Sequence, residues 1–364
     1  SRMARTHDAI NLSQGFPNFP VDPDLIAMVD KAMREGHNQY APMAGVPVLR
    51  EILADKVKLL YNRAIDPDHE ITITSGATQA IFTAITALVR PGDEVVIIEP
   101  AYDCYRPAIV LNGGICRSYK MTKPDFKIYW SEVADMINDR TRLIIINTPH
   151  NPTGQLLKWE DMDAISQIMQ NHQRLYLLSD EVYEHIIFDG YSHESVLGFD
   201  GLWERCVAVF SFGKTFHATG WKLGYAVSPK HIMEEFRKVH QYNVFSANTP
   251  LQYALASYLE QKEKWKELPQ FYEQKRNLMI DILTKTPFEV IPSNGTYYIL
   301  ADFSVFSGKS DIDFAEWMTK EIGVAVIPPS AFYSDGLDEK LIRICFAKSE
   351  ETLEAAAERL GQLH

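Results

Sequence analysis

The sequence predicts an α/β protein built around a largely parallel sheet, and three observations carry that prediction. Short apolar runs recur at 71–74, 94–98, 142–146, 175–178 and 206–210. Stretches with apolar residues at helical spacing lie between most of them. Near-continuous apolar strands alternating with helices suit a parallel sheet buried on both faces. The polar residues gather where the runs stop: Asn147, Asp180 and Ser211 each follow a strand directly, and Thr78 and Tyr102 follow within a few residues. In open α/β sheets the ligand crevice lies at that edge.

Taken in order, 11–20 is an extended segment punctuated by Gly15, Pro17 and Pro20. A helix over 24–36 carries Leu25, Met28, Val29 and Ala32 on one face and stops at Gly36. A second, over 48–61, presents Leu49, Ile52, Leu53 and Leu60. After strand 71–74, Ser75-Gly76-Ala77-Thr78 opens a helix with Ala77, Ile81, Phe82, Ile85 and Leu88 as its stripe, closed by Arg90-Pro91-Gly92. Such a turn aims free N–H groups at an anion, although many α/β proteins hold no ligand there. A helix is expected over 159–170. After strand 206–210, a loop carrying Lys214 leads to another apolar run at 223–227. Helices follow at 234–242 and 249–258. A charged helical stretch over 260–285, interrupted at Pro269, crosses to a second domain. There, strands 297–301, 324–327 and 341–346 and helices 312–322 and 350–363 predict a small α+β unit.

At 364 residues, one large domain and a smaller one are expected. A net charge of −12 argues against nucleic acid and anionic membrane as partners. No apolar run is long enough to span a membrane. The chain does not open on Met, so a preceding segment is expected, and Ser1 to Asp8 show no apolar signal core. The four cysteines, Cys104, Cys116, Cys206 and Cys345, share no metal-ligand or CxxC spacing; reduced thiols, no metal site and a cytoplasmic location are expected.

The strand-end residues suit one cofactor chemistry. A desolvated lysine on a Gly-flanked loop, here Lys214, is a nucleophilic amine that forms Schiff bases with carbonyls. A strand-end carboxylate, Asp180, can hold a proton on a pyridine-type nitrogen. Asn and Tyr can bond a phenolic oxygen, and a helix N-terminus with a lysine can hold a phosphate. A ring with all four groups is pyridoxal phosphate.

At this point the sequence resembles the fold-type I pyridoxal-phosphate aminotransferases of class I/II, over essentially its whole length. Within them it is most similar to the bacterial methionine aminotransferases and the kynurenine and glutamine transaminases. The motifs are Asn147-Thr148-Pro149-His150-Asn151-Pro152-Thr153-Gly154, Ser179-Asp180-Glu181-Val182-Tyr183, Ser211-Phe212-Gly213-Lys214-Thr215 with Gly220-Trp221-Lys222-Leu223-Gly224, and Arg343-Ile344-Cys345-Phe346. The resemblance implies a large domain over 36–274 with a mostly parallel seven-stranded sheet, and a small domain from 1–35 and 275–364.

It also implies roles. Lys214 bonds the cofactor pyridoxal 5′-phosphate and moves the proton, Asp180 pairs with the pyridine nitrogen, and Tyr183 and Asn151 bond the ring's O3′. Tyr102 stacks on the ring. Ala77, Thr78 and Gln79, with Ser211 and Lys222, cradle the phosphate. Tyr40 reaches the phosphate of a second subunit, which makes the protein a homodimer. Arg343 clamps the substrate carboxylate, a task suited to a planar fork, assisted by Asn151 and Gly15. Phe16, Phe19, Tyr40 and a neighbour's Phe245 give an apolar, aromatic side-chain pocket. Two features depart from the family: its extreme N-terminal arm has no counterpart ahead of Ala9, and the phosphate turn reads Ala77-Thr78-Gln79 where relatives vary.

The expected activity is ping-pong transfer of the amino group of a methionine-, phenylalanine-, glutamine- or kynurenine-type amino acid to a 2-oxo acid. A β-lyase acting on cysteine conjugates or cystathionine is the alternative with the same cofactor. A cofactor-binding regulator would need an added DNA-binding domain, for which this acidic chain has no room. A Rossmann dehydrogenase would need a G-x-G-x-x-G after a strand, which is absent.

Overall fold

The computed structural model describes residues 2–261 and 263–363. The strands, in chain order, begin with β1 (Ile10–Asn11), β2 (Ile71–Thr74), β3 (Glu94–Glu99) and β4 (Ile115–Lys120). β5 (Thr141–Asn147), β6 (Tyr176–Asp180), β7 (Cys206–Ser211) and β8 (Gly224–Val227) follow. The last are β9 (Glu289–Ile291), β10 (Tyr298–Asp302), β11 (Val324–Ala325) and β12 (Leu341–Cys345).

A seven-stranded sheet in the order β2-β8-β7-β6-β5-β3-β4 forms the centre. From β7 to β4 its neighbours run parallel; β8 is antiparallel to both β7 and β2. Both faces are covered, and the alternation along each strand sorts side chains between two cores. Val95, Ile97, Leu143, Ile145 and Leu178 pack beneath helices Ala77–Leu88, Tyr105–Leu111 and Lys230–Asn243. Val96, Ile98, Ile144, Ile146 and Leu177 face the other way, toward helices Pro47–Tyr61 and Trp159–Asn171. The expected α/β class with a mostly parallel seven-stranded sheet is therefore the observed one.

Two small sheets accompany it. β9, β10 and β12 form an antiparallel sheet in the order β12-β10-β9. β1 pairs parallel with β11, so the start of the chain is held by its last third. Helix Leu268–Leu283 packs against the terminal helix Glu350–Leu360, and helix Pro23–Arg34 lies along Thr249–Leu259.

Several elements differ from expectation. β4 and helix Tyr105–Leu111 were not expected: β4 is an edge strand with only Tyr119 buried, and the helix spans seven residues with a proline inside. The helix expected at 234–242 starts earlier, at Lys230. The stretch 260–285 is two helices, Glu263–Lys266 and Leu268–Leu283; Lys262 within it lies outside the described residues, as do Ser1 and His364. The strand expected at 324–327 shortens to β11, with Ile327 making a single bridge to Arg343. The helix expected at 312–322 is α-helical only over Asp311–Trp317 and continues as a π-turn over Met318–Ile322. Among the described residues no helix is long and apolar enough to cross a membrane, and no cluster of three or more His, Cys, Asp or Glu could hold a metal ion.

Candidate active site

The carboxyl ends of β5, β6 and β7 open onto one cavity of about 160 Å³. Asp180 is the last residue of β6 and only 4% exposed. Its Oδ2 accepts a 2.6 Å hydrogen bond from the Tyr105 hydroxyl, while Oδ1 has no partner among the described residues. Burial, opposed by Tyr105, the Val182 amide and Lys214, pushes its carboxyl up to about 6.

Lys214 lies in the helical turn Phe212–Thr215 that follows β7. Its Nζ donates to Tyr297 Oη at 2.8 Å and to Gly15 O at 3.3 Å. Burial pulls its ammonium down to about 8, close enough to neutral pH for the free amine to be populated.

The other end of the cavity is suited to an anion. Helix Ala77–Leu88 starts after Gly76, whose φ of +83° needs glycine and which supplies no side-chain cap. The first amides of the helix are thus unpaired at the positive end of its dipole. Lys222, itself at φ +53°, lies beside them: a Cβ placed on Gly76 would stand 3.5 Å from Lys222 Nζ. Ser211 and Thr78 line the same cavity, and the hydroxyls of Thr78 and Tyr102 are 3.2 Å apart.

Asn147 ties two strand ends together. Its Nδ2 donates to Asp180 O at 2.8 Å, and its Oδ1 accepts from the Asn151 amide at 2.7 Å. Asn151 Oδ1 then accepts from Arg343 Nη1 at 2.9 Å, and Arg343 Nη2 donates to Ser13 O at 3.1 Å. The Arg343 guanidinium is buried and lies 4.1 Å from the Tyr298 ring centroid, and its Nε has no partner among the described residues. Tyr183 is also buried in the cavity wall.

The remaining expected residues are arranged differently. The Gln79 side chain turns back on its own helix, accepting from the Ser75 amide and donating to Thr83 Oγ1, so only its backbone faces the anion end. Gly15 contributes its carbonyl. Phe16 lies outside the cavity beneath Lys348, and Tyr40 is 82% exposed, edge-on to Phe245. Neither lines the cavity of its own chain. Tyr105, Tyr297 and Tyr298 belong to the site without standing in any of the sequence motifs. The only local signal for the last two is their place at the entry to β10, after Gly295.

A strand-end lysine and carboxylate sharing a cavity with an uncapped helix N-terminus, on this sheet, define an enzyme of the pyridoxal-phosphate-dependent α/β class. Residues 7–360 match the family aminotransferase class I and II, and the chain belongs to that family. It is therefore a transaminase whose cofactor is pyridoxal 5′-phosphate. Methionine aminotransferase of Escherichia coli (strain K12) is 50% identical, an alignment covering 100% of this chain and 94% of that protein. Kynurenine–oxoglutarate transaminase 1 of Rattus norvegicus is 34% identical, over 99% and 93%. Among solved structures, an Escherichia coli protein identified as a methionine aminotransferase superposes with a TM-score of 0.97 at 50% identity, over 100% of this chain and 95% of the other. The N-succinyldiaminopimelate aminotransferase of Mycobacterium tuberculosis gives 0.96 at 34% identity, over 100% and 95%.

The buried carboxylate makes a testable demand on stability. Because the Asp180 pKa is raised, the folded cofactor-free protein keeps this proton longer than the unfolded chain does. The cost of the buried charge is absent below the unfolded value near 4 and complete above about 6. In the cofactor-free protein, Asp180→Asn is expected to raise unfolding stability at pH 7.5 by up to about 3 kcal/mol. At pH 4 the gain is expected to vanish. Urea denaturation at the two pH values measures the difference, and a gain equal at both would contradict this origin.

Proposed function

We propose that this enzyme moves the amino group of an apolar or aromatic L-amino acid, of the methionine, phenylalanine, glutamine or kynurenine class, to a 2-oxo acid by a ping-pong route. The observation that carries the reading is the pairing, in one cavity, of Lys214 with an Asp180 oxygen that lacks a partner. The substrate class is supported by the methionine and kynurenine relatives. It is supported also by the walls near Arg343, where Tyr298 and Phe332 flank the guanidinium. Among the described residues lining the cavity, the cations are Lys214 and Lys222; Arg343 stands behind that lining, bonded to Asn151 and to Ser13 O.

The residues fit the cofactor. Asp180 Oδ1 would take the pyridine N–H, with Oδ2 already held by Tyr105. The amides of Ala77, Thr78 and Gln79, with Ser211 and Lys222, would hold the phosphate. Tyr183 and Asn151 would bond O3′, and Tyr102 would cover the ring. Bound there, pyridoxal phosphate supplies an electron sink for the pair left on the substrate carbon when a proton departs. Lys214 provides the amine that anchors the group and the base that carries the proton. Arg343 holds the substrate carboxylate through its planar fork, with Asn151 and the segment at Gly15 and Phe16 closing over it. The chain is proposed to divide into a large domain over 36–274 and a small one from 1–35 and 275–364. Four unpaired cysteines support a cytoplasmic setting.

We propose further that the working unit is a homodimer in which Tyr40 of the partner subunit completes the phosphate site. Tyr40 and Phe245 form an exposed aromatic pair on this chain, 82% and 42% accessible, which a second copy would cover.

The loaded protein is expected to absorb near the visible edge, and methionine is expected to bleach that band; Lys214→Ala should lose both the band and turnover. Turnover of aspartate well above methionine and phenylalanine would contradict the substrate reading.

Arg343→Ala is expected to lower kcat/KM by an amount equivalent to about 2–5 kcal/mol of lost transition-state stabilisation, since it strips the partner from a buried carboxylate. Steady-state kinetics at saturating oxo acid read this, and parental values would remove Arg343 from the site.

Mixing inactive Lys214→Ala and Tyr40→Ala subunits tests the shared site. Random reassociation gives hybrids with one intact site, so activity should recover to about a quarter of the parent. No recovery despite hybrid formation would place Tyr40 in its own subunit's site, and an active Tyr40→Ala homodimer would place it outside both.

A further inference from the structure

We propose that Tyr297 positions the amine of Lys214, fixing it as a base with its lone pair free; the inference rests on the role proposed for Lys214 above. Nζ has two oxygen acceptors, Tyr297 Oη at 2.8 Å and Gly15 O at 3.3 Å. Tyr297 Oη itself donates to Gly15 O at 2.7 Å. The single hydroxyl proton is committed to the carbonyl, so toward the lysine the tyrosine oxygen can only accept. A neutral amine has two N–H groups and one lone pair. The two oxygens take both N–H groups, and the lone pair remains for the proton that has to move.

The hydroxyl is held firmly in place. The Tyr297 ring is fully buried, edge-on to Tyr183 at 5.2 Å and next to Tyr298 at 4.9 Å and Tyr272 at 5.9 Å. Burial pushes its phenol well above the ordinary value, so it remains an O–H group across the working range. When Lys214 takes the proton from the substrate Cα, the C–H electron pair stays on the substrate side and the lone pair becomes a third N–H bond. The two oxygens keep their hold on the other two. Delivery of a proton to the receiving carbon restores the neutral amine.

The arrangement also ties readiness of the base to seating of the segment around Gly15. A Cβ at position 15 would stand 1.6 Å from the Tyr298 hydroxyl, so the segment reaches this place because residue 15 is glycine. With the segment lifted, Lys214 loses one acceptor and Tyr297 loses its own.

Tyr297→Phe removes one oxygen and keeps the ring. In the cofactor-free protein, the rate of pyridoxal-phosphate capture against pH reports ionisation of the Lys214 amine. Loss of an acceptor weakens the ammonium, so the midpoint is expected to move down by about half a pH unit or more. In the loaded enzyme, the single-turnover half-reaction with methionine is expected to slow about tenfold or more. The isotope effect with α-deuterated methionine should grow, while KM stays within about twofold.

Tyr272→Phe serves as the control. It deletes a buried hydroxyl that has no partner in the same aromatic cluster, and it should match the parent in both readouts. An unchanged midpoint and half-reaction rate in Tyr297→Phe overturn the proposal. So does a slower enzyme with lower thermal stability but the parental midpoint and isotope effect, which would make Tyr297 structural only. Failure of the underlying reading looks different: Lys214→Ala would then capture the cofactor with the parental pH profile.

Discussion

A carboxylate carried into the interior by the end of a strand sets the terms for what surrounds it. Asp180 has one oxygen satisfied and one free, and next to it stands a lysine that is also stripped of water. Burial drives the two toward neutrality from opposite sides, Asp180 up to about 6 and Lys214 down to about 8. A buried charge without full pairing is costly, so the cofactor-free protein carries this cost in its centre. The two cores on either face of the sheet offset it, and the rigid strands β5 to β7 prevent the site from relaxing it away. A ligand with a protonated ring nitrogen and a phosphate would supply the missing partners at both ends. The same strain that makes the site costly to maintain makes it selective for such a ligand.

The parts of the fold legible in the sequence are those buried on both sides. β3, β5, β6 and β7 are apolar runs because both faces of the sheet are covered, and their polar last residues stand out against that background. β4 is not legible in the sequence, because an edge strand reading Ile115-Cys116-Arg117-Ser118-Tyr119-Lys120 is half wet and carries no such signal. The direction of β8 was equally hidden, since an apolar run does not say which way it points. Lys214, Asp180, Asn151 and Arg343 sit in recognisable motifs. Tyr105 and Tyr297 do not: their meaning lies in bonds to residues 75 and 83 positions away, and a lone tyrosine in sequence looks like core. Gln79 shows the reverse limit, for its position was legible but its side chain has closer partners in Ser75 and Thr83.

The segment that covers the site is held by its own backbone. Four consecutive carbonyls are engaged: Ser13 O by Arg343, Gln14 O and Phe16 O by Lys348, and Gly15 O by Lys214 and Tyr297. Lys348 is only 2% exposed, so this cation is dedicated to the segment and not to solvent. Two of the four holders, Lys214 and Arg343, are the groups on which the proposed chemistry depends. The cover and the reacting centre therefore draw on the same cations.

Carbonyl oxygens are common to every amino acid. An anchor made of them does not depend on which side chains the anchored residues carry. At position 14, where Gln14 is exposed, the chain is free to change its side chain while the segment stays moored; at 16 the Phe16 ring centroid lies 4.5 Å from Lys348 Nζ, and at 15 steric contact with Tyr298 favours glycine. For redesign, and for divergence among related enzymes, this separates two tasks that loops often confound. Where a side chain makes no contact of its own, it can change while the backbone anchors that seat the loop, the carbonyls of residues 13–16, stay in place.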